Sequence, residues 1–320
     1  MGESKLSIIY FAKFNINEKI YEVYDGKENL DELLTKVFLG METDVELGEI
    51  RRKKNVNFKF ITLNKDPDKF TVNGRLVAYA PGVHVSYDEE KDDVVETKDN
   101  KKAAYVTFYF DVRRETIGFV PKNDFGRKMF IERFKKLIEE LVPDVGEVEI
   151  VLEKDRQILD EKLRLINHVD EISINLIPPN NDKKLFESLF GINSDDLTDT
   201  GGSKYTFNIK GTTKKGLNLG STFIKNLVNG VIVGYGNLIA RGKNTSGEPV
   251  NVNSEDEALY TKGITDINKD SIPEISEKSE RGIVNLAVMK ATAKDDLIQR
   301  QQELKFELLR ELENERTKAE

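Results

Sequence analysis

Apolar and β-branched residues recur in short alternating or continuous runs over Ser7 to Phe14, Val56 to Leu63, Arg75 to Tyr87, Ala103 to Val112, Glu147 to Leu152 and Glu171 to Ile177, the pattern of strands. Between them the period lengthens to that of a helix. Leu30, Leu33, Leu34, Val37 and Phe38 share one helical face behind Asn29, a residue suited to cap it. Phe130, Phe134, Leu137, Ile138 and Leu141 share another, entered from a buried strand at TIGFV and stopped by Pro143. Several strands follow one another between helices, which predicts an α+β fold with mixed or antiparallel sheets and flanking helices rather than a doubly wound parallel sheet.

The tract IPPNND breaks the pattern at residues 177–182, because the prolines enforce extended backbone and the Asn and Asp favour a turn. It predicts a first domain over 1–178 and a second α+β domain over 179–320. The second begins with a short helix, Lys183 to Phe190, and a Gly/Ser/Thr-rich turn. A strand at Lys204 to Lys210, a helix near Ser221 to Asn229 and a strand at Val231 to Arg241 follow. Residues 244–282 are polar and weakly periodic, and are expected to form a long excursion with little regular structure. A helix from about Arg281 to Lys318 closes the chain. Its stripe of Leu297, Leu304, Leu308 and Leu312 fits either a coiled-coil dimer or packing on its own domain.

Composition narrows the chemistry. With 320 residues, 38% hydrophobic and 33% charged, the chain reads as an ordinary globular protein able to bury a sizeable core. No stretch approaches the roughly 20 apolar residues of a membrane span. The opening MGESKLSIIYFAKF lacks the charge and apolar pattern of a secretory signal, so a cytoplasmic location is expected. Zero cysteines exclude disulfides, thiolate catalysis and sulfur-ligated zinc. His84 and His168 stand outside any metal-ligand spacing, and no phosphate loop or nucleophile elbow occurs. Asp92, Asp93, Glu96 and Lys98 have the carboxylate and lysine order of metal-dependent nucleases but sit in a hydrophilic run with no apolar strand to fix them. The expectation is a protein without a catalytic site, metal or cofactor, with a divergent metal nuclease as the competing enzyme reading.

Charge changes the picture more. The net charge is −8, yet residues 121–136 hold six bases against two acids, and residues 196–243 hold seven against two. Local potential, not net charge, is what binds phosphate. In KYTFNIK, Tyr205, Phe207 and Ile209 share one strand face, while Lys204, Thr206, Asn208 and Lys210 share the other. Lys214, Lys215, Arg241 and Lys243 extend the basic chemistry into neighbouring turns. In the helix after Phe125, Lys128, Lys135 and Lys136 have acids at i,i+4 that would consume their charge. Arg127 and Arg133 have none, and with Lys122 they are the better candidates for an external anion. Arg51 to Lys54 pose the same choice between phosphate contact and solubilising charge.

The stretch RRETIGFVPKNDFG, with NLIARGKNTSGEPVNVNSEDEALYTKG and VDEISINLIPPNNDKKLFESLF, resembles the RexA-like family of bacteriophage lambda exclusion proteins, over roughly residues 105–270. The resemblance implies a non-enzymatic phage-defence protein acting in abortive infection. It further implies a homodimer that binds double-stranded DNA without strong sequence preference, with a membrane effector as the second protein of the system. Lys122, Arg127, Arg241 and Lys243 lie inside the matched stretches. Together with Lys128, Arg133, Lys204, Lys210, Lys214 and Lys215 they form the predicted DNA-binding set. The alternative is a scaffold subunit of a multi-protein defence complex.

Overall fold

In the computed structural model, which describes residues 6–51, 54–90, 92–180, 183–190 and 202–294, internal contacts divide the chain into two units. The first comprises Met1–Glu153, Pro178–Lys183 and Tyr260–Ile283, the second Lys154–Ile177, Lys184–Leu259 and Val284–Glu320. The boundary expected near residue 178 is therefore one of several crossings.

The chain runs through β1 (Leu6–Ile16), α1 (Ile20–Tyr24), α2 (Leu30–Gly40), β2 (Leu47–Arg51), β3 (Lys54–Asp66), β4 (Thr71–Asp88), β5 (Asp93–Asp111), β6 (Thr116–Val120), α3 (Arg127–Leu141) and β7 (Val148–Leu152). It continues through α4 (Arg156–Arg164), β8 (His168–Leu176), α5 (Lys183–Phe190), β9 (Tyr205–Lys210), α6 (Thr222–Ile232), β10 (Gly236–Lys243), β11 (Pro249–Asn253), α7 (Ser254–Glu257) and β12 (Thr261–Thr265). A helix over residues 272–294, α8, ends the described chain. The fold class is α+β with antiparallel sheets, flanking helices and a C-terminal helix.

In the first unit the sheet order is β12-β1-β6-β5-β4-β3-β2, with β7 also paired to β1. Antiparallel register sets Phe108 opposite Phe119 and Phe110 opposite Ile117, so these side chains share one face. On that face α3 inserts Phe130 and Phe134. Phe119 stacks on Phe130 at 4.2 Å between centroids, and Phe134 meets Phe60, Phe108 and Phe110 edge-on at 5.2, 5.3 and 5.9 Å. On the other face, α8 approaches closely because Gly118 and Gly282 lack side chains. A Cβ at Gly118 would lie 2.5 Å from Ser279 Oγ, and one at Gly282 2.3 Å from the Phe11 ring.

The IPPNND break is anchored to this sheet. Asn180, 2% exposed, accepts a hydrogen bond from Ile16 N–H at 2.7 Å and donates one to the Phe14 carbonyl at 3.1 Å. Its amide thereby satisfies buried backbone groups at the end of β1 that would otherwise be costly to leave unpaired.

The second unit carries a sheet of order β11-β10-β8-β9. Ile172, Ile174, Leu176, Leu238, Ala240 and Val252 point to its buried face, where α6 packs on β8 and β10 with Ile224, Leu227, Val228 and Val231 buried. Ser221 caps α6, its Oγ accepting from Ile224 N–H.

Two expectations are corrected. The strand expected over Val231 to Arg241 begins at Gly236. Val231 and Ile232 remain helical and fully buried, and Gly234, at φ +98°, closes the helix. Burial overrides the β-branched preference of the VIV run. Residues 244–282, expected to be irregular, contain β11, α7, β12 and the start of α8. Here β11 and β12 lie at sheet edges, where outward polar residues mask the apolar alternation. Asn253 caps α7, accepting from Glu255 N–H at 3.0 Å, and Ser271 and Glu274 frame the start of α8. The predicted stripe Leu297, Leu304, Leu308 and Leu312 lies outside the described residues.

Candidate nucleic-acid interface

The face of the β11-β10-β8-β9 sheet opposite α6 is polar. Register aligns Lys210, Glu171, Arg241 and Asn251 in one row and Thr206, Asn175 and Asn237 in another. In the second row Thr206 Oγ1 donates to Asn175 Oδ1 at 2.7 Å, Asn175 Nδ2 to Asn237 Oδ1 at 2.9 Å, and Asn237 Nδ2 to Glu255 Oε1 at 3.0 Å. Each amide serves as both donor and acceptor, which fixes a hydrogen-bonded chain across three strands.

The strand ends then bring the bases together. Lys210 closes β9 opposite Glu171, and Arg241 flanks the same Glu171 from β10. Lys243 pairs in register with His168. Beyond Lys210, a turn bearing Lys214 and Lys215 is closed by Gly216 N–H donating to the Thr212 carbonyl and tied to β8 by Leu217 N–H donating to the Val169 carbonyl, each at 2.8 Å. Gly242 sits at the β10 irregularity, where an added Cβ would fall 2.1 Å from the His168 carbonyl oxygen. Five predicted residues, Lys210, Lys214, Lys215, Arg241 and Lys243, thus gather at one end of one sheet, all exposed.

Glu171 neutralises part of this charge through long contacts, 3.9 Å to Lys210 and 3.6 Å to Arg241. Lys210 and Arg241 stay 73% and 61% exposed while Glu171 is 26% exposed, so the cations and not the acid project to solvent. Asp170, 3.4 Å from His168, and Glu248 are the other acids near this end. Lys204 lies at the opposite end of β9, exposed and of the parity expected.

In the first unit the predicted set is largely engaged. Lys122 and Phe125 exchange backbone hydrogen bonds across a tight turn before α3. The Lys122 ammonium lies 2.6 Å from Asp270 and 3.3 Å from the centroid of the Tyr105 ring. Arg127 lies over the Tyr10 ring at 5.7 Å, and Lys128 is exposed.

Arg133, expected to face an external anion, is instead 4% exposed. Its Nε and Nη2 both donate to Glu49 Oε1, at 3.0 and 2.8 Å, between the rings of Phe58 and Phe125. Two further bases of α3 find acids on strands, Lys136 reaching Glu49 at 3.1 Å and Lys135 reaching Glu149 at 3.2 Å, and Lys135 also lies 3.7 Å from Glu139 of its own helix. The inverted charge of α3, bases before acids, is thus matched mainly by β2 and β7. Glu49 feels burial first, which pushes its carboxyl up. Hydrogen bonds and charges from Arg133 and Lys136 outweigh that and hold it below the usual carboxylate value.

The acids of the nuclease reading do not converge. Asp92 accepts a hydrogen bond from the Tyr87 hydroxyl at the hairpin tip, and Glu96 on β5 stands in register with Val85 on β4. Among the described residues no three His, Asp or Glu side chains form a metal-binding group, and no helix is long and apolar enough to cross a membrane.

A family model described as a domain of unknown function, DUF4747, matches residues 8–278, and the chain belongs to that family. No curated protein matches the chain.

Proposed function

We propose that the protein binds double-stranded DNA through backbone phosphates, without strong sequence preference, using the basic end of the second unit's sheet. One observation carries this reading: strand register and the 212–216 turn collect Lys210, Lys214, Lys215, Arg241 and Lys243 on a solvent-facing surface. Flexible cations contact phosphates without reading base edges, so the expected binding is salt-sensitive and sequence-tolerant. The resemblance to the exclusion-protein family would put such binding at the sensing step of phage defence, by a homodimer signalling to a membrane effector.

Lys214 and Lys215 offer the cleanest test, since both are exposed and neither side chain has an ion pair among the described residues. The double variant Lys214→Glu/Lys215→Glu is expected to melt like the parent and to bind a 20-base-pair duplex at least about tenfold more weakly. Fluorescence anisotropy reads the affinity, and an unchanged dissociation constant would remove this surface from the interface.

A second reading, a subunit of a multi-protein complex, draws on the β4–β5 hairpin. Beyond Ala80 and Lys102 it has no third strand among the described residues, and Val83, Val85, Tyr87 and Val94 are exposed there. Parent protein that fails to bind duplex at low salt would favour this reading.

A further inference from the structure

We infer that the first unit holds a separate binding site for a phosphate-bearing, flat ligand the size of a mononucleotide, in the cleft between the β2–β3 hairpin end and the turn before α3. The cleft encloses about 460 Å³, within the range of small-ligand sites. Arg51 from β2, Lys54 from β3 and Lys102 from β5 stand on its rim, all exposed and without an ion pair among the described residues.

Its wall includes the buried Arg133. Nε and Nη2 of that guanidinium are committed to Glu49, and Nη1 has no hydrogen-bond partner among the described residues. A donor held this rigidly loses little freedom on meeting an anion. Asp124 is the one acid in the lining, and since Glu49 balances Arg133, the three rim cations face that single carboxylate.

The floor gives the second half of the argument. Val56, Ala78, Ala80 and Ala104 pave it, because the sheet extends past the N-terminus of α3 and small side chains leave the uncovered stretch hollow. Simple phosphate would leave this apolar floor empty. A nucleotide would lay its base on the alanines and its phosphates against Arg51, Lys54 and Lys102, with Asn123 and Asp124 available for hydroxyl or base-edge hydrogen bonds. The shared chemistry could come from a free nucleotide or from the phosphorylated end of a nucleic-acid strand. The site shares no residue with the duplex-binding surface proposed above and does not depend on it.

The test titrates the full chain with a fluorescent N-methylanthraniloyl nucleoside diphosphate, with unlabelled nucleoside diphosphate, inorganic phosphate and a 5′-phosphorylated single-stranded oligonucleotide as competitors. Saturable binding is expected, weakened at least about tenfold in Lys54→Glu/Lys102→Glu and unchanged in Lys214→Glu/Lys215→Glu. Melting curves serve to confirm that both variants fold. Competition by the nucleotide far better than by inorganic phosphate supports the site. Competition by the oligonucleotide better than by the nucleotide also supports it and identifies the polymer as the source. No saturable binding up to about 1 mM, equal displacement by inorganic phosphate, or indifference to Lys54→Glu/Lys102→Glu would overturn it.

Discussion

Replacing Phe134 by alanine is expected to lower the unfolding free energy by about 3–5 kcal/mol, the range for deleting a fully buried aromatic ring. Phe134 is 0% exposed and touches Phe60, Phe108, Phe110 and Phe130 at centroid distances of 5.2 to 5.9 Å. It therefore joins β3, β5 and α3 at one point. The loss combines the transfer free energy of the ring with a cavity that a close-packed sheet cannot collapse to fill. Urea denaturation followed by far-ultraviolet circular dichroism measures it. Phe134→Leu should cost less because most of the volume is kept. A change below about 1 kcal/mol for Phe134→Ala would mean that α3 does not pack on the sheet through this residue.

The Arg133–Glu49 pair should produce the next largest effect. Arg133→Met is expected to cost about 3 kcal/mol at pH 7, because it strands a partly buried carboxylate whose remaining charged partner is Lys136. Adding Glu49→Leu should recover much of that loss, since a paired apolar replacement leaves nothing unsatisfied. The pH dependence follows from the sign of the shift. Glu49 titrates below its ordinary value of 4.5 in the folded protein, so it binds fewer protons folded than unfolded around that pH. Its contribution is fully present above about pH 4.5 and is lost as pH falls through the depressed value. The parent should therefore lose this increment on acidification, whereas Arg133→Met, lacking it already at pH 7, should show a flatter profile there. Indistinguishable parent and Arg133→Met denaturation at pH 7 would contradict the pairing.

The same pair shows where sequence reading ends. Arg133 has no acid four residues away along its helix, and its partner lies 84 residues earlier in the chain. Helical periodicity cannot see a contact made by sheet topology. Likewise, Glu171 interleaves Lys210 and Arg241 only because β8 lies between β9 and β10. Features carried by local chemistry were legible. The period-two alternation of β9 appears as expected, with Lys204, Thr206, Asn208 and Lys210 exposed. Asn29 caps α2 by accepting from Asp31 N–H at 2.8 Å, and the apolar stripe of α3 is the one that is buried.

Other local signals are faint or are overridden by tertiary packing. The Ser271 to Glu274 spacing marks the start of α8 ahead of Arg281. The VIV run resembles a strand, yet burial keeps its first two residues in α6. Nothing in the sequence marks Lys102, because the long β4–β5 hairpin alone places it beside Arg51 and Lys54.

The most direct measurement of the central claim is the affinity of the full chain for a labelled random-sequence duplex over a series of salt concentrations. Phosphate neutralisation by the basic end of the sheet predicts that log affinity falls linearly with log salt, by roughly 0.9 per phosphate contacted, and that unrelated duplexes compete equally. Lys214→Glu/Lys215→Glu should flatten that slope by about 2. Absence of binding at low ionic strength, or an affinity indifferent to salt, would contradict the account.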